Sequence, residues 1–176
     1  RHLRAVQIYR RVWFKFFRPR IYRGSTLPLN QPEGSWVAPI KRRPSMEGPV
    51  QFRFLNCRHS LPNTGGWEED KLEKLWLYNL HYFDDLNAQN SEKRTQWHVD
   101  LINRWIAENN LGKGTGWEPY PISLRIVNWI KWALAGNALD SKWLHSLVIQ
   151  TRWLRCRLEW HLMGNHLLAN AKALIF

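Results

Sequence analysis

A chain of 176 residues is long enough for one domain with a substantial hydrophobic core. Its hydrophobic content of 44% is typical of a globular protein and excludes a disordered or low-complexity chain. No uninterrupted apolar run approaches about 18 residues, which excludes an ordinary transmembrane helix. Two cysteines, Cys57 and Cys156, exclude a disulfide-dense scaffold and leave one bridge between them open.

The positive charge is concentrated at the N-terminal end. The chain has 26 Lys and Arg against 14 Asp and Glu, and residues 1–43 contain eleven of these basic residues but only one acidic residue, Glu33. A basic arm of this kind can bind nucleic acid, an anionic membrane or an acidic polymer, or it can be a solvated helix face. Because the rest of the chain is nearly neutral, no nucleic-acid partner is expected, and a nucleic-acid binder acting through this arm is the least favoured function.

Residues 1–49 are interpreted as a basic N-terminal helix followed by an irregular connector. The helix is predicted from apolar residues at helical spacing, which are Val6, Tyr9, Trp13, Phe16 and Phe17. Packing of this helix onto the body is favoured over membrane binding. The connector, residues 18–49, is rich in Pro, Gly, Ser and Arg, and alternation of apolar and polar residues over 50–54 then predicts one short strand.

Residues 50–176 are predicted to be mainly helical. Apolar stripes predict helices within residues 72–86, 97–106, 122–134 and 144–162, with a cap at Asn90 or Ser91 and a fifth helix starting near Asn165. Helices with more than one apolar side need burial on more than one side, and short breaks favour antiparallel neighbours. The fold class is therefore all-α, with layered helical hairpins as in an α/α barrel or solenoid.

Both ends of the sequence look truncated. The chain begins at Arg1 without a signal peptide, because basic residues interrupt every apolar stretch near the N-terminus. It stops at Phe176 within an apolar helical pattern. We therefore expect the chain to be the N-terminal portion of a longer protein.

The turn at Met163–His166 is the first candidate site. Gly164 can end one helix, and Asn165 can cap the next, which would be a purely structural role. Alternatively, the adjacent amide and imidazole of Asn165 and His166 can grip a carboxylate at the helix N-terminus. His161 and His166 are five residues apart and do not share a helix face, so no metal site and no cofactor are expected from this chain.

Two further clusters contain polar residues among aromatic ones. In residues 117–125, Trp117 and Tyr120 offer flat faces for sugar rings and Arg125 suits a carboxylate. The alternative places Trp117 and Tyr120 in the core and pairs Glu118 with Arg125. The cluster at residues 76–86 contains the polar residues Asn79, His81 and Asp84. They either line a cleft or are solvated.

Three segments resemble the N-terminal region of heparinase II/III family proteins. They are Leu75–Leu86, Gly116–Trp129 and Gly164–Leu174, and they occur in the same order as in that family. The resemblance implies an (α/α) toroid, here incomplete, followed by a β-sandwich domain. It also implies polysaccharide lyase activity on uronate-containing chains, a periplasmic location and a role in capsule or exopolysaccharide systems.

The same resemblance implies roles for individual residues in β-elimination. Asn165 would hydrogen-bond the uronate carboxylate, and His166 would help to neutralise it or take the proton. Trp117, Tyr120 and Arg125 are expected in the substrate cleft. A Tyr that serves as acid or base is expected beyond Phe176, so the chain alone is expected to be inactive. Some relatives carry a Glu three residues after the histidine, where this chain has Ala169.

A second function remains open beside the lyase. A non-catalytic glycan-binding or exopolysaccharide-system component could keep the same fold and bind the acidic polysaccharide without cleaving it.

Overall fold

The structure of the chain is a computed structural model that describes residues 3–22, 24 and 34–176. Its regular elements are mainly helical, which confirms the predicted all-α class. The helices are α1 (Ala5–Phe16), α2 (Lys74–Tyr82), α3 (Thr95–Glu108), α4 (Pro119–Leu134), α5 (Ser141–Cys156) and α6 (Gly164–Ile175), and the strands are β1 (Gln51–Phe54) and β2 (Cys57–Ser60). Single 3-10 turns lie at Asp84–Asn87, Ser91–Arg94 and Thr115–Trp117.

Helix α1 forms where the sequence predicts it, but its apolar stripe is not packed onto the body. The contacts with the body come from the other side of the helix, where the Phe14 ring lies 4.4 Å from the His161 ring and Gln7 donates to the His161 carbonyl. No α1 residue is buried by the part of the chain that the structure describes. The helix therefore contacts the body, as the sequence analysis favours, but through the side that carries Phe14 and Gln7 rather than through its apolar stripe.

The predicted single strand is one arm of a hairpin. Strand β1 pairs antiparallel with β2 through a two-residue turn in which Leu55 and Asn56 both have positive φ, the backbone that suits tight hairpins. Phe52 and Phe54 point into the core, and Phe54 packs edge-on against Trp76 of α2 at 5.0 Å. The second strand escapes prediction because its side chains are mostly exposed and do not alternate in polarity.

Helix α4 is the centre of the helical body. It packs against α2, α5 and α6. Pro119 begins the helix, where proline is favoured because it has no backbone N–H and the N–H groups of the first turn have no partner within the helix. The core around α4 is unusually aromatic, and Trp76, Trp105 and Trp129 are fully buried within it. Burial of such large rings contributes most of the hydrophobic stabilisation.

The corner between α5 and α6 differs from its prediction in two ways. Helix α5 ends at Cys156, although apolar spacing continues to Leu162, and Leu158 packs against the core from the irregular segment after the helix. Helix α6 begins at Gly164, with Met163 at the N-cap position. Asn165 therefore lies inside the first turn of α6 and does not cap it.

The two cysteines do not pair with each other. Cys57 on β2 and Cys156 at the end of α5 are both exposed free thiols. The bridge that the sequence leaves open is not formed.

Candidate functional site

The predicted pair Asn165 and His166 lies at the start of α6, and its two side chains have different surroundings. Asn165 is exposed and, within the described residues, its side chain makes no hydrogen bond. His166 is half-buried: its Nδ1 lies 3.1 Å from Oε1 of Glu159, and its ring centroid lies 4.5 Å from that of Tyr120. Asn165 is therefore free to meet a ligand, while His166 is held in place by its neighbours.

Glu159 supports His166 from inside the corner. Its side chain is almost fully buried, and Asn170 of α6 donates to its Oε2 at 3.1 Å while accepting from the Glu159 backbone N–H at 2.9 Å. Asn170 also donates to the Ser123 hydroxyl on α4. Burial raises the pKa of Glu159, against the opposing effects of Asn170 and His166. Because the carboxylate engages Nδ1 of the imidazole, Nε2 is the nitrogen that can meet a ligand.

A polar cleft of about 440 Å³ lies between the connector and helices α2, α4 and α6. Tyr120 and Ala169 belong to its wall, so the cleft extends to within one helical turn of His166. Its other lining residues come from the connector (Pro39, Ile40 and Arg42), from α2 and the turn after it (Asn79, Tyr82, Asp84 and Asn87), and from α4 and α6 (Ser123, Leu124, Val127, Asn128, Lys131 and Lys172).

The charge of this cleft is mainly positive. Arg42, Lys131 and Lys172 line it, and the carboxylate among its lining residues, Asp84, lies 3.5 Å from Arg42 and accepts from Asn128 at 2.7 Å. Burial lowers the pKa of Lys131, the nearby Lys172 and Arg42 lower it further, and Asp84 opposes them. Crowded cations of this kind favour the binding of an anion, because an anion relieves their mutual repulsion.

Two tyrosines connect the cleft to the corner. Tyr82 and Tyr120 both line the cleft and pack edge-to-face with ring centroids 6.0 Å apart. Burial raises the pKa of Tyr82 above its ordinary value, so its hydroxyl is protonated at neutral pH and can donate a hydrogen bond. Tyr120 in turn contacts the His166 ring. Of the predicted residues, Tyr120 and His166 are thus in contact beside the cleft, and Asn165 precedes His166 in the first turn of α6.

Arg125 is not in this cleft, contrary to the sequence-based expectation. Its side chain is 0% exposed, and its guanidinium lies 3.8 Å above the Trp105 ring. It donates to Gln150 Oε1 at 2.8 Å and to the backbone carbonyls of His81 and Gly116 at 3.2 and 2.9 Å. These three bonds are directed into the core, and Arg125 is not among the residues that line the cleft.

Trp117 is also a core residue rather than a cleft residue. It is buried, and its indole N–H donates to the Asn109 carbonyl at 3.1 Å. The predicted pairing of Glu118 with Arg125 is not found either, because Glu118 pairs with Lys74 at 2.8 Å and accepts a hydrogen bond from the Tyr78 hydroxyl.

The cluster at residues 76–86 divides between cleft and core. Asn79 and Asp84 line the cleft. His81 is fully buried, accepts from Trp105 at Nδ1 and lies 3.3 Å from the Trp67 carbonyl through Nε2. Burial, with the nearby Arg125 charge, lowers the pKa of His81 to about 3, so the ring is neutral and serves the core.

A larger depression of about 860 Å³ lies on another part of the surface, beside the hairpin and the end of α3. Its titratable lining is mostly acidic, with Glu68, Glu69 and Glu108. These carboxylates have local partners, including His59 for Glu69 at 2.9 Å and Arg104 for Glu108 at 3.1 Å. Its charge does not suit an acidic ligand.

Sequence reasoning missed four residues of the site: Glu159, Lys131, Lys172 and Tyr82. Glu159 is seven residues before His166 on the other side of a turn, and no periodic spacing connects the two. Lys131 and Lys172 are far apart in sequence and meet only because α4 packs against α6. The sequence signal available was the presence of single cations on largely apolar helices.

Within the described ranges, no group of three or more His, Cys, Asp and Glu could hold a metal ion, and no helix is long and apolar enough to span a membrane. Comparisons of the chain with models of protein families, with curated proteins and with solved structures found no match.

Proposed function

We propose that the chain is part of a polysaccharide lyase that cleaves uronate-containing polysaccharides by β-elimination, the activity that the resemblance to heparinase II/III proteins implies. The observation that carries this proposal is the contact between Tyr120, which lines the cation-rich cleft, and His166 at the corner. This contact connects a surface suited to acidic polymers with the two residues that resemble the family's site.

The proposed reaction needs help at three atoms of the sugar. A base removes the proton from C5, the released electron pair forms the C4–C5 double bond, the C4–O4 bond breaks, and O4 takes a proton. Neutralising the uronate carboxylate makes the C5 proton more acidic. Asn165 supplies an N–H donor for this carboxylate, and its position in the first turn of α6 adds the favourable field of the helix N-terminus.

In this proposal His166 helps to neutralise the carboxylate or takes the C5 proton through Nε2. Glu159 fixes the ring from the opposite side by accepting at Nδ1. The family's Glu position is Ala169 here, and Glu159 provides a carboxylate to the same histidine from the segment before α6.

The cleft cations would bind further uronate units of the polymer. Arg42, Lys131 and Lys172 provide charge, and Tyr82 and Tyr120 provide ring faces and hydroxyls, a combination that suits acidic sugars. The packing of α4 against both α5 and α6 supports the further proposal that these helices belong to an incomplete (α/α) toroid. The periplasmic location implied by the family forms part of the same proposal.

The test is the release of unsaturated uronate product by the complete protein, followed by ultraviolet absorbance. We expect Asn165→Ala to lower the turnover rate by about a hundredfold or more, the usual effect of removing one donor from a developing negative charge. The matched control is Asn63→Ala, which changes another exposed asparagine in a surface turn. Unchanged turnover in a folded Asn165→Ala protein would remove this residue from the site.

A second candidate function is non-catalytic capture of the same acidic polysaccharide. The specific observation in its favour is Ala169 in the cleft wall, because it lacks the carboxylate that some relatives carry there. Binding of a polyuronate by the complete protein, with no double bond formed in any uronate chain supplied, would favour capture over cleavage.

A further inference from the structure

Helix α1 presents its apolar side to solvent. Trp13 and Phe16 are 51% and 74% exposed, and Tyr9 and Val12 on the same side are also exposed. Neighbouring members of this set are three or four residues apart, about one helical turn, so the four form one continuous stripe. We call this stripe the α1 apolar face. An aromatic surface of this kind on a folded protein marks an interaction site.

The opposite side of α1 anchors it to the body. Arg157 donates to the carbonyls of Phe14 and Phe17 at 2.7 and 2.6 Å, and its guanidinium lies 3.7 Å from the centroid of the Phe14 ring. These contacts hold the end of α1 with the α1 apolar face directed outward. The exposure of the face is therefore set by how the helix is attached.

Cations flank the α1 apolar face on both sides. Arg10 lies over the Tyr9 ring, and Lys15 lies over the Phe16 ring. Arg11 is exposed on the polar side of the helix. Among the residues that the structure describes, none of these three cations lies within 4.0 Å of a carboxylate. The partner of this surface must therefore accommodate aromatic rings and positive charge together.

We infer that α1 binds the surface of an anionic lipid bilayer, lying in the interface with its apolar face towards the acyl chains. Aromatic residues on one side of a short helix with Lys and Arg beside them are the features of interfacial helices, and anionic headgroups complement the cations. A second copy of the chain is a poorer occupant, because pairing two α1 apolar faces would bring their cations together. This inference is independent of the proposed lyase activity.

The experiment is co-sedimentation of the complete protein with vesicles of phosphatidylcholine alone or of phosphatidylcholine mixed with phosphatidylglycerol. We expect binding to the mixed vesicles that weakens as salt is raised and is at least tenfold weaker with phosphatidylcholine alone. Trp13→Asp/Phe16→Asp should abolish this binding. The matched control, Leu55→Asp/Leu75→Asp, changes two exposed apolar residues outside α1 and should bind like the unmodified protein.

A second pair of variants tests the contribution of charge. Arg11→Gln/Lys15→Gln should weaken binding to the mixed vesicles by about twenty-five-fold, since each cation near such a surface contributes about fivefold. Lys113→Gln/Lys142→Gln, two exposed lysines elsewhere, should have little effect.

Failure to bind the mixed vesicles at low salt would overturn the inference. So would unchanged binding of Trp13→Asp/Phe16→Asp, or sedimentation as a dimer that this variant dissociates. All the altered side chains are exposed, and circular dichroism spectra that match the unmodified protein's will verify folding.

Discussion

Three acceptors surround the guanidinium of Arg125 in the core beneath α4. Removing this side chain leaves a cavity and deprives Gln150 and the carbonyls of His81 and Gly116 of their donor. We expect Arg125→Ala to lower the free energy of unfolding by about 3–5 kcal/mol, measured by urea denaturation. Arg155→Ala, an exposed arginine on α5, should change it by less than about 0.5 kcal/mol. A stable Arg125→Ala protein that has lost polymer binding would return Arg125 to the cleft.

Asp85 is a second residue whose environment gives a definite prediction. Burial alone would raise its pKa, but hydrogen bonds from His98, Arg94 and two backbone N–H groups outweigh burial and lower it to about 2. A carboxyl with a depressed native pKa stabilises the fold above its unfolded pKa near 3.8 and loses that contribution as pH falls through about 2.

We therefore expect the free energy of unfolding to fall by about 2 kcal/mol between pH 5 and pH 2 through Asp85. Asp85→Asn should remove this part of the acid dependence and destabilise the protein at neutral pH. Asp70→Asn, an exposed carboxylate in the segment before α2, should leave the acid dependence unchanged. An unaltered acid transition in Asp85→Asn would contradict the assignment.

At the residue scale, the sequence indicates which side chains have suitable chemistry, but it does not indicate whether each one faces the cleft or the core. His166 and Tyr120 meet beside the cleft, whereas Arg125 and Trp117 point into the core although they share one segment with Tyr120. On one helix, core and cleft positions differ by only about 100° of rotation, and the direction is set by which neighbours pack on α4. Glu159 could not be found because its link to His166 is made across a turn.

At the scale of elements, α4 and α6 together create the positive part of the cleft. The charge of Lys172 lies close enough to lower the pKa of Lys131, and neither helix alone provides both charges. We expect Lys131→Gln and Lys172→Gln each to weaken binding of a polyuronate about fivefold to tenfold, measured by calorimetry at low salt. The loss should shrink as salt is raised.

The matched control for these lysines is Lys142→Gln, an exposed lysine in the first turn of α5. It should bind the polyuronate like the unmodified protein. If all three variants lost affinity equally, binding would follow net charge rather than the cleft.

Helix positions followed well from the sequence because apolar periodicity reflects burial directly. All five helices of the body lie within or beside their predicted stripes. The predictions of secondary structure failed where a regular element is exposed or where a buried residue lies outside a regular element. Strand β2 is mostly exposed and has no periodic signal, and Leu158 is partly buried although it lies beyond the end of α5.

At the scale of the whole molecule, basic residues serve two separate surfaces. Those of α1 flank an exposed aromatic face, and those of the cleft lie beside the corner at Asn165 and His166. Composition alone predicts the excess of positive charge but not this division, because it depends on how the connector and helices pack. The proposed toroid belongs to the same scale, since closure of a ring depends on contacts among many hairpins.

The proposed function is cleavage of a polyuronate by elimination in the complete protein. The most direct measurement is the mass of the products released from a defined uronate oligosaccharide. Elimination predicts fragments whose summed mass equals that of the substrate, with a double bond in one of them, and their loss in Asn165→Ala. Fragments that together contain one added water would instead indicate hydrolysis and contradict the account.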